Sequence, residues 1–181
     1  MTIEPMTATV AAPTNASAAA LAGKYLTFQL GEEGYGFPIL RVREIIRHVI
    51  PTLLPGLPRH VKGVINLRGK VIPVVDLRLK FGFPAAASGE RACIVVLQLE
   101  SSSTGARTMG VIVDGVEEVI QVSASEIEEA PDFGAGLETE YILGMAKIRG
   151  TVKTLLDVDQ VLTAGNLDRL QDHSSSETTV A

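Results

Sequence analysis

The chain has 181 residues, 46% of them hydrophobic, with a formal charge of −5 at pH 7, one cysteine and no tryptophan. That length suffices for one good core or two small ones sharing an interface. A lone cysteine excludes an intramolecular disulfide framework and a cysteine-based structural zinc, and no run approaches the roughly 20 apolar residues that cross a bilayer.

Residues 1–23, rich in Ala, Thr and Pro without periodicity, read as a disordered tail with no basic start of the kind an export signal needs, so a cytoplasmic protein is expected. Lys24 to Leu30 alternates and predicts a strand, the GEEGYG stretch a turn, and Tyr35 to Leu40 the partner strand, with Pro38 arguing for an edge position or a bulge. The LRVREIIR segment from Leu40 to Arg47 fits a distorted strand or one helical turn. Pro51, Pro55 and Pro58 then pin an irregular connection. A hairpin follows, from Val61 to Leu77 with its turn at Arg68-Gly69-Lys70, and Asp76 is placed to cap a short helix ended by Gly82 and Pro84.

Residues 84–90 form the joint to a second half. There Arg91 to Glu100 predicts a strand around Cys93, read as a buried inert thiol, followed by a Ser-rich turn from Ser101 to Gly105 and a strand pair or bent strand to Val122. Ser125 and Glu128 have capping-box spacing, and Pro131 to Gly136 reads as a loop. A second hairpin from Ile142 to Val158, a last helix opened by Asp157, and a disordered tail over 171–181 complete the chain.

The second half repeats the first. GVINLRGKVIPVVDL, from Gly63 to Leu77, returns as GMAKIRGTVKTLLDV, from Gly144 to Val158, keeping Gly, Arg, Gly, Val and Asp in register. Upstream, Tyr35 to Ile46 matches Met109 to Ile120, aligning Gly36 with Gly110, Val42 with Val116, Glu44 with Glu118 and Ile46 with Ile120. About ten short strands with two or three minor helices indicate small barrels or sandwiches. The copies differ in charge: residues 24–84 carry ten Lys or Arg against four Asp or Glu, whereas 85–170 carry six against fourteen. The arginines of the basic half lack interleaved aromatics for base stacking and the acidic half opposes phosphate, so a protein partner is expected and nucleic acid is not.

Catalytic chemistry is absent from the pattern. His48 and His60 flank the proline-rich link without a carboxylate at base or ligand spacing, and His173 lies in the tail. Glu117-Glu118 and Glu128-Glu129 are adjacent, which on a strand sends them to opposite faces. No nucleophile elbow, P-loop or dinucleotide fingerprint occurs. Neither enzyme activity, a cofactor nor a metal is expected.

Arg68 stands out at the tip of an apolar hairpin. Turn chemistry accounts for it as a solvated side chain between an Asn and a Gly that supply unusual backbone angles. The surrounding motif says more. KGVINLRGKVIPVVDLRLKFG, preceded by YGFPILRVREII and followed by MGVIVDGVEEVI, IEEAPDF and ETEYILGMAKI, closely resembles the CheW family of chemotaxis coupling proteins from about Lys24 to Leu162. The resemblance implies an all-β fold of two intertwined five-stranded SH3-like β-barrels sharing a hydrophobic core, in one domain over 24–170 with halves at about 24–84 and 85–170. It implies an adaptor that links the cytoplasmic tip of methyl-accepting chemoreceptors to the regulatory domain of the histidine kinase CheA within receptor arrays, without inserting into the membrane. By the same resemblance, Val42, Glu44, Ile45, Asn66, Leu67, Arg68 and Gly69 belong to the receptor-binding neighbourhood. On the residues alone, Val42 and Ile45 equally suit a core. The second copy reads Lys147-Ile148-Arg149, so the Asn-Leu-Arg signature occurs once, which suggests different partners for the two barrels. A paralogue of another chemosensory array, or a small-ligand-binding β-barrel, are the rival readings.

Overall fold

The computed structural model describes residues 14–84, 88–100, 107–130 and 141–163. Its elements are α1 (Thr14–Leu21), β1 (Gly23–Leu30), β2 (Glu33–Pro38), β3 (Val42–Arg47), β4 (Val61–Leu67), β5 (Lys70–Asp76), α2 (Leu77–Lys80), β6 (Cys93–Leu99), β7 (Arg107–Val113), β8 (Gly115–Val122), β9 (Ile127–Glu128), β10 (Ile142–Ile148), β11 (Thr151–Leu156) and α3 (Val158–Thr163). The Ser-rich turn, the loop beginning at Pro131 and the C-terminal tail lie outside the described residues.

Two sheets form, in the orders β3-β6-β7-β5-β4 and β8-β1-β2-β11-β10-β9. Each is a hairpin of one half flanked by strands of the other, so the barrels are intertwined as the resemblance implies. The exchange is made twice by the same device, a parallel pairing at a repeated glycine: Val74 of β5 lies opposite Gly110 of β7, and Leu155 of β11 opposite Gly36 of β2. A side chain at Gly110 would meet Ile94 at 2.8 Å, and one at Gly36 would meet Leu155 at 3.1 Å. The six-stranded sheet differs from the expected five by β9, a two-residue strand at its edge.

The apolar residues sort into three clusters. Ile65, Ile72, Val74, Ile94, Val96 and Ile112 fill the five-stranded, first barrel. Tyr25, Ile120, Val122, Ile127, Ala146 and Leu155 fill the second. Between the barrels lies a larger shared core, with Phe28, Phe37, Leu77, Leu97, Val111, Leu156 and Leu162 among its buried members. At roughly 1.5–3 kcal/mol for each large apolar side chain buried, this shared layer is the main adhesive between the sheets.

Local expectations fare unevenly. Asp76 caps α2 by accepting from the backbone N–H groups of Arg78 and Leu79, and Asp157 accepts from that of Gln160 at the start of α3. The Leu40 to Arg47 segment is both of the things it fitted, a 3₁₀ turn over Ile39–Arg41 followed by strand β3. Pro38 is on neither an edge nor a bulge. It ends β2, an interior strand, beyond the Gly34 to Gly36 stretch where β11 pairs, so its missing N–H costs that ladder nothing. The capping box joins Ser123 to Glu126 rather than Ser125 to Glu128. Within the segment expected to be an unstructured tail, Thr14 to Leu21 form α1, whose Ala18 and Leu21 pack against the second-barrel interior. Alanine's helix propensity and that apolar seat together stabilise it.

Glu117 and Glu118 do not point to opposite faces. Both reach the second hairpin, Glu117 to Lys153 and Glu118 to Arg149. The cause is a bulge: between the pairs Phe28 with Val116 and Leu26 with Val119, two residues of β8 oppose Thr27 alone. Buried Thr27 fills the interrupted ladder, its hydroxyl donating to the carbonyl of Glu118 and accepting from the same residue's N–H.

Candidate functional site

The β4–β5 hairpin turns through two residues, Arg68 with φ 51° and Gly69 with φ 84°. Positive φ at both central positions is what a two-residue type I′ loop demands. Glycine takes it freely, whereas a side chain pays of order 1–2 kcal/mol. Asn66, expected to supply the unusual angle, instead braces the turn: its Oδ1 accepts from the N–H of Gly69 at 2.9 Å. The strained residue is the arginine. Among the described residues only Arg68 and its repeat mate Arg149 are non-glycine residues with positive φ, and strain retained at a surface turn points to function.

Strand β3 sits at one edge of the first barrel's sheet and the β4–β5 hairpin at the other. Along β3 half-buried and exposed residues alternate. Glu44 receives both guanidinium nitrogens of Arg68, at 2.8 and 2.9 Å. This bidentate pair ties the two sheet edges together across the barrel mouth. Glu44 and Arg68, both expected in the receptor-binding neighbourhood, thus hold one another. A bulge between Val42 and Glu44 against β6 sets this aim.

The other predicted residues divide. Ile45 is 44% exposed and points away from the core, while Val42 is half-buried against the shared core and Leu67 against the first-barrel interior. Ile45 thus stands at the surface, and Val42 lies partly beneath it. Gly69 is exposed at the tip. Sequence reasoning missed Val71, which lies opposite Asn66 in the hairpin and is 67% exposed. Its recurrence as Val152 was the available signal. Arg43, Arg47 and Lys70 are exposed around the pair, and Glu44 is the one carboxylate on β3 or the hairpin tip, so the surface is net basic.

Behind the hairpin the proline-rich link runs against β4: Thr52 and Val64 exchange backbone hydrogen bonds of 2.8 and 3.0 Å. A side chain at Gly63, where φ is 131°, would lie 1.9 Å from the Thr52 carbonyl oxygen, so this position of the first copy requires glycine. Of the titratable groups, burial pushes the half-buried Cys93 thiol up, away from the reactive thiolate. Burial, with nearby Lys80, holds His60 below its ordinary value, and its Nε2 is buried without a partner. Among the described residues no group of three His, Cys, Asp or Glu is arranged to hold a metal ion.

A family model described as the CheW-like domain matches residues 24–165. Chemotaxis protein CheW of Klebsiella aerogenes is 36% identical over 141 residues, 78% of this chain and 82% of that protein. Chemotaxis protein CheW of Rhizobium meliloti is 35% identical over 136 residues, 75% and 84% of the two chains. The crystal structure of the scaffolding protein TtCheW from Thermoanaerobacter tengcongensis superposes with a TM-score of 0.70 at 31% identity, covering 80% of this chain and 95% of that one.

Proposed function

This chain belongs to the CheW-like family, and from that premise we propose that it is a chemotaxis coupling scaffold, joining the cytoplasmic tip of methyl-accepting chemoreceptors to the regulatory domain of the histidine kinase CheA. The observation that carries the reading is the Arg68–Glu44 pair, held on a strained turn beside exposed Ile45 and Val71. An amphipathic receptor helix lays its apolar stripe on Ile45 and Val71. Acidic residues along the stripe meet Arg43, Arg47 and Lys70 by charge complementarity.

The pair then sets register. In water an exposed ion pair is worth at most about 1 kcal/mol, so Arg68 exchanges cheaply from Glu44 to a carboxylate or carbonyl of the helix. Once the helix excludes water, the same charges interact more strongly. Val42 and Leu67 act beneath this surface by fixing the strands, and exposed Asn66 braces the turn. The work is done at receptor arrays on the cytoplasmic face. Among the described residues no helix is long and apolar enough to cross a membrane, in keeping with attachment through receptors.

Reconstitution tests the proposal: receptor, kinase and ATP are combined with and without this protein, and kinase output is measured. Activation that needs the protein and is lost with Arg68→Glu, at unchanged circular dichroism, is expected. Full activation by the variant removes Arg68 from the role.

A further inference from the structure

Each barrel closes one sheet edge by pairing an incoming segment with the strand that opens its hairpin. In the first, Thr52 lies opposite Val64 of β4. In the second, Glu128 of β9 lies opposite Met145 of β10, the repeat mate of Val64. The two segments are held in place differently. Pro51, Pro55 and Pro58 restrict the first, a loss of backbone freedom that the folded and unfolded chain share. From Ser123 to Ala130 the second has no proline. There α1 lies across the segment, against the 3₁₀ turn over Ala124–Glu126, β9 and β10.

The seat of α1 is small. Ala18 and Leu21 pack on the second-barrel interior, and Leu21 stands 3.6 Å from where a side chain at Gly144 would begin, the same glycine whose bareness gives β9 its room. Tyr25, 4% exposed, adds a hydrogen bond of 2.6 Å from its hydroxyl to the Leu21 carbonyl, satisfying an acceptor that a helix leaves open at its C-terminal end. Ala19 and Ala20 face solvent. Eight residues are fewer than the roughly 12–15 that sustain a helix in water, so α1 folds only while it is docked. With Leu21, Ala18 and the Tyr25 hydroxyl as its holds among the described residues, it opens at far less cost than the barrel does. Gly23 forms the joint, in open space where a side chain would meet nothing within 4 Å. The helix precedes residues 24–165, which the family model matches, so it is attached to the domain from outside.

We propose that α1 is a reversible strap on the second barrel. Docked, it presses β9 onto β10 and shelters Ile127. Melted, it swings away at Gly23, frees β9 and bares an apolar sheet edge. One edge of the molecule is thus fixed by prolines, and the other is conditional on the chain's own N-terminal arm. The device needs no partner and does not rest on the proposed function.

Amide hydrogen exchange on the full chain, read by NMR, tests it. Ala20→Gly weakens the helix from its solvent face without touching the barrel, and should speed exchange in α1 and in the β9–β10 ladder together, each about fivefold. Leu21→Ser empties the seat and should speed both at least about tenfold. The N–H groups of Thr52 and Val64, which close the first edge, are the internal control and should stay within about twofold in both variants. The strap is overturned if the β9–β10 ladder keeps its rates in either variant, for then the edge does not follow the helix. It is equally overturned if Thr52 and Val64 quicken as much as that ladder does, which is unfolding of the whole.

Discussion

At the first barrel's mouth Arg68 grips Glu44 through two contacts of 2.8 and 2.9 Å, while at the second Arg149 reaches Glu118 through one of 3.4 Å. The backbone turn is the same in both, down to the φ of the arginine. What differs is the setting. The first latch stands alone in a basic surround, whereas the second shares its cleft with the Lys153–Glu117 pair, at positions the first barrel gives to buried Ile72 and exposed Arg43. A duplicated scaffold thus fixes where the charged residues stand, and their neighbours decide how firmly each is held.

The strongest way to break the comparison is through its glycines. Gly63→Ala drives a methyl group into the Thr52 carbonyl at 1.9 Å and at a φ that alanine disfavours, whereas Gly144→Ala meets the Glu128 carbonyl oxygen and Ile127 at only 3.0 Å and needs no left-handed φ. The first should cost about 4 kcal/mol or more and the second about 1–2, read as urea midpoints at constant slope. Equal losses would mean that Thr52 can step aside. Next in size is function: Arg68→Glu should reduce receptor-dependent kinase activation at least about tenfold while shifting stability by less than about 1 kcal/mol. Arg149→Glu in the same assay should leave most of that activation intact, and an equal loss would erase the distinction between the mouths.

A smaller effect separates the barrels by pH. The hydrogen bond from Lys153 holds the Glu117 carboxyl below its ordinary value of 4.5, with that lysine's charge and hydrogen bonds from Gln29 and Thr27 adding to the effect against partial burial. A depressed folded-state value contributes stability that is fully present above 4.5 and lost as pH falls through the folded value. Glu117→Gln should therefore flatten the acid side of the stability profile, measured by urea unfolding from pH 6 down to 3. His60 works in the same direction at higher pH. Buried in its neutral form, it costs stability as pH falls below 6.5, where the unfolded chain takes up a proton that the folded one resists. The smallest expected signal is a pair of double-mutant cycles, with a coupling of about 0.5–1 kcal/mol for Arg68 with Glu44 and about 0.3 or less for Arg149 with Glu118. A larger value at the second mouth would reverse the order of firmness.

Much of this was legible in the chain itself. The repeat alone aligns Glu44 with Glu118 and Arg68 with Arg149, and the caps at Asp76 and Asp157 follow from local chemistry that acts within a few residues. Hidden were the relations made across the chain. Nothing local in GYGF or TLLD states that Gly36 will lie beside Leu155. The turning of Glu117 and Glu118 to one side comes from a bulge whose cause, Thr27, is a strand from the other half. The site shows the same limit: Arg68 and Glu44 were each readable as important, but their mutual grip depends on two sheet edges meeting in space. Val71 was passed over because a valine beside a turn reads as core until its exposure is known.

The strand exchange bears on how the chain is born. β5 waits for β7 and β2 waits for β11, each by a parallel pairing with a strand synthesised much later. On a ribosome, β1 and β2 emerge with Phe28 and Phe37 uncovered, since Leu156, Val161 and Leu162 of the same core come from the last described stretch. The five-stranded sheet has all its strands once Val113 is made, whereas closure of the six-stranded sheet is postponed until β11 is available, and the nascent chain carries the unsatisfied apolar face of β1 and β2 until then.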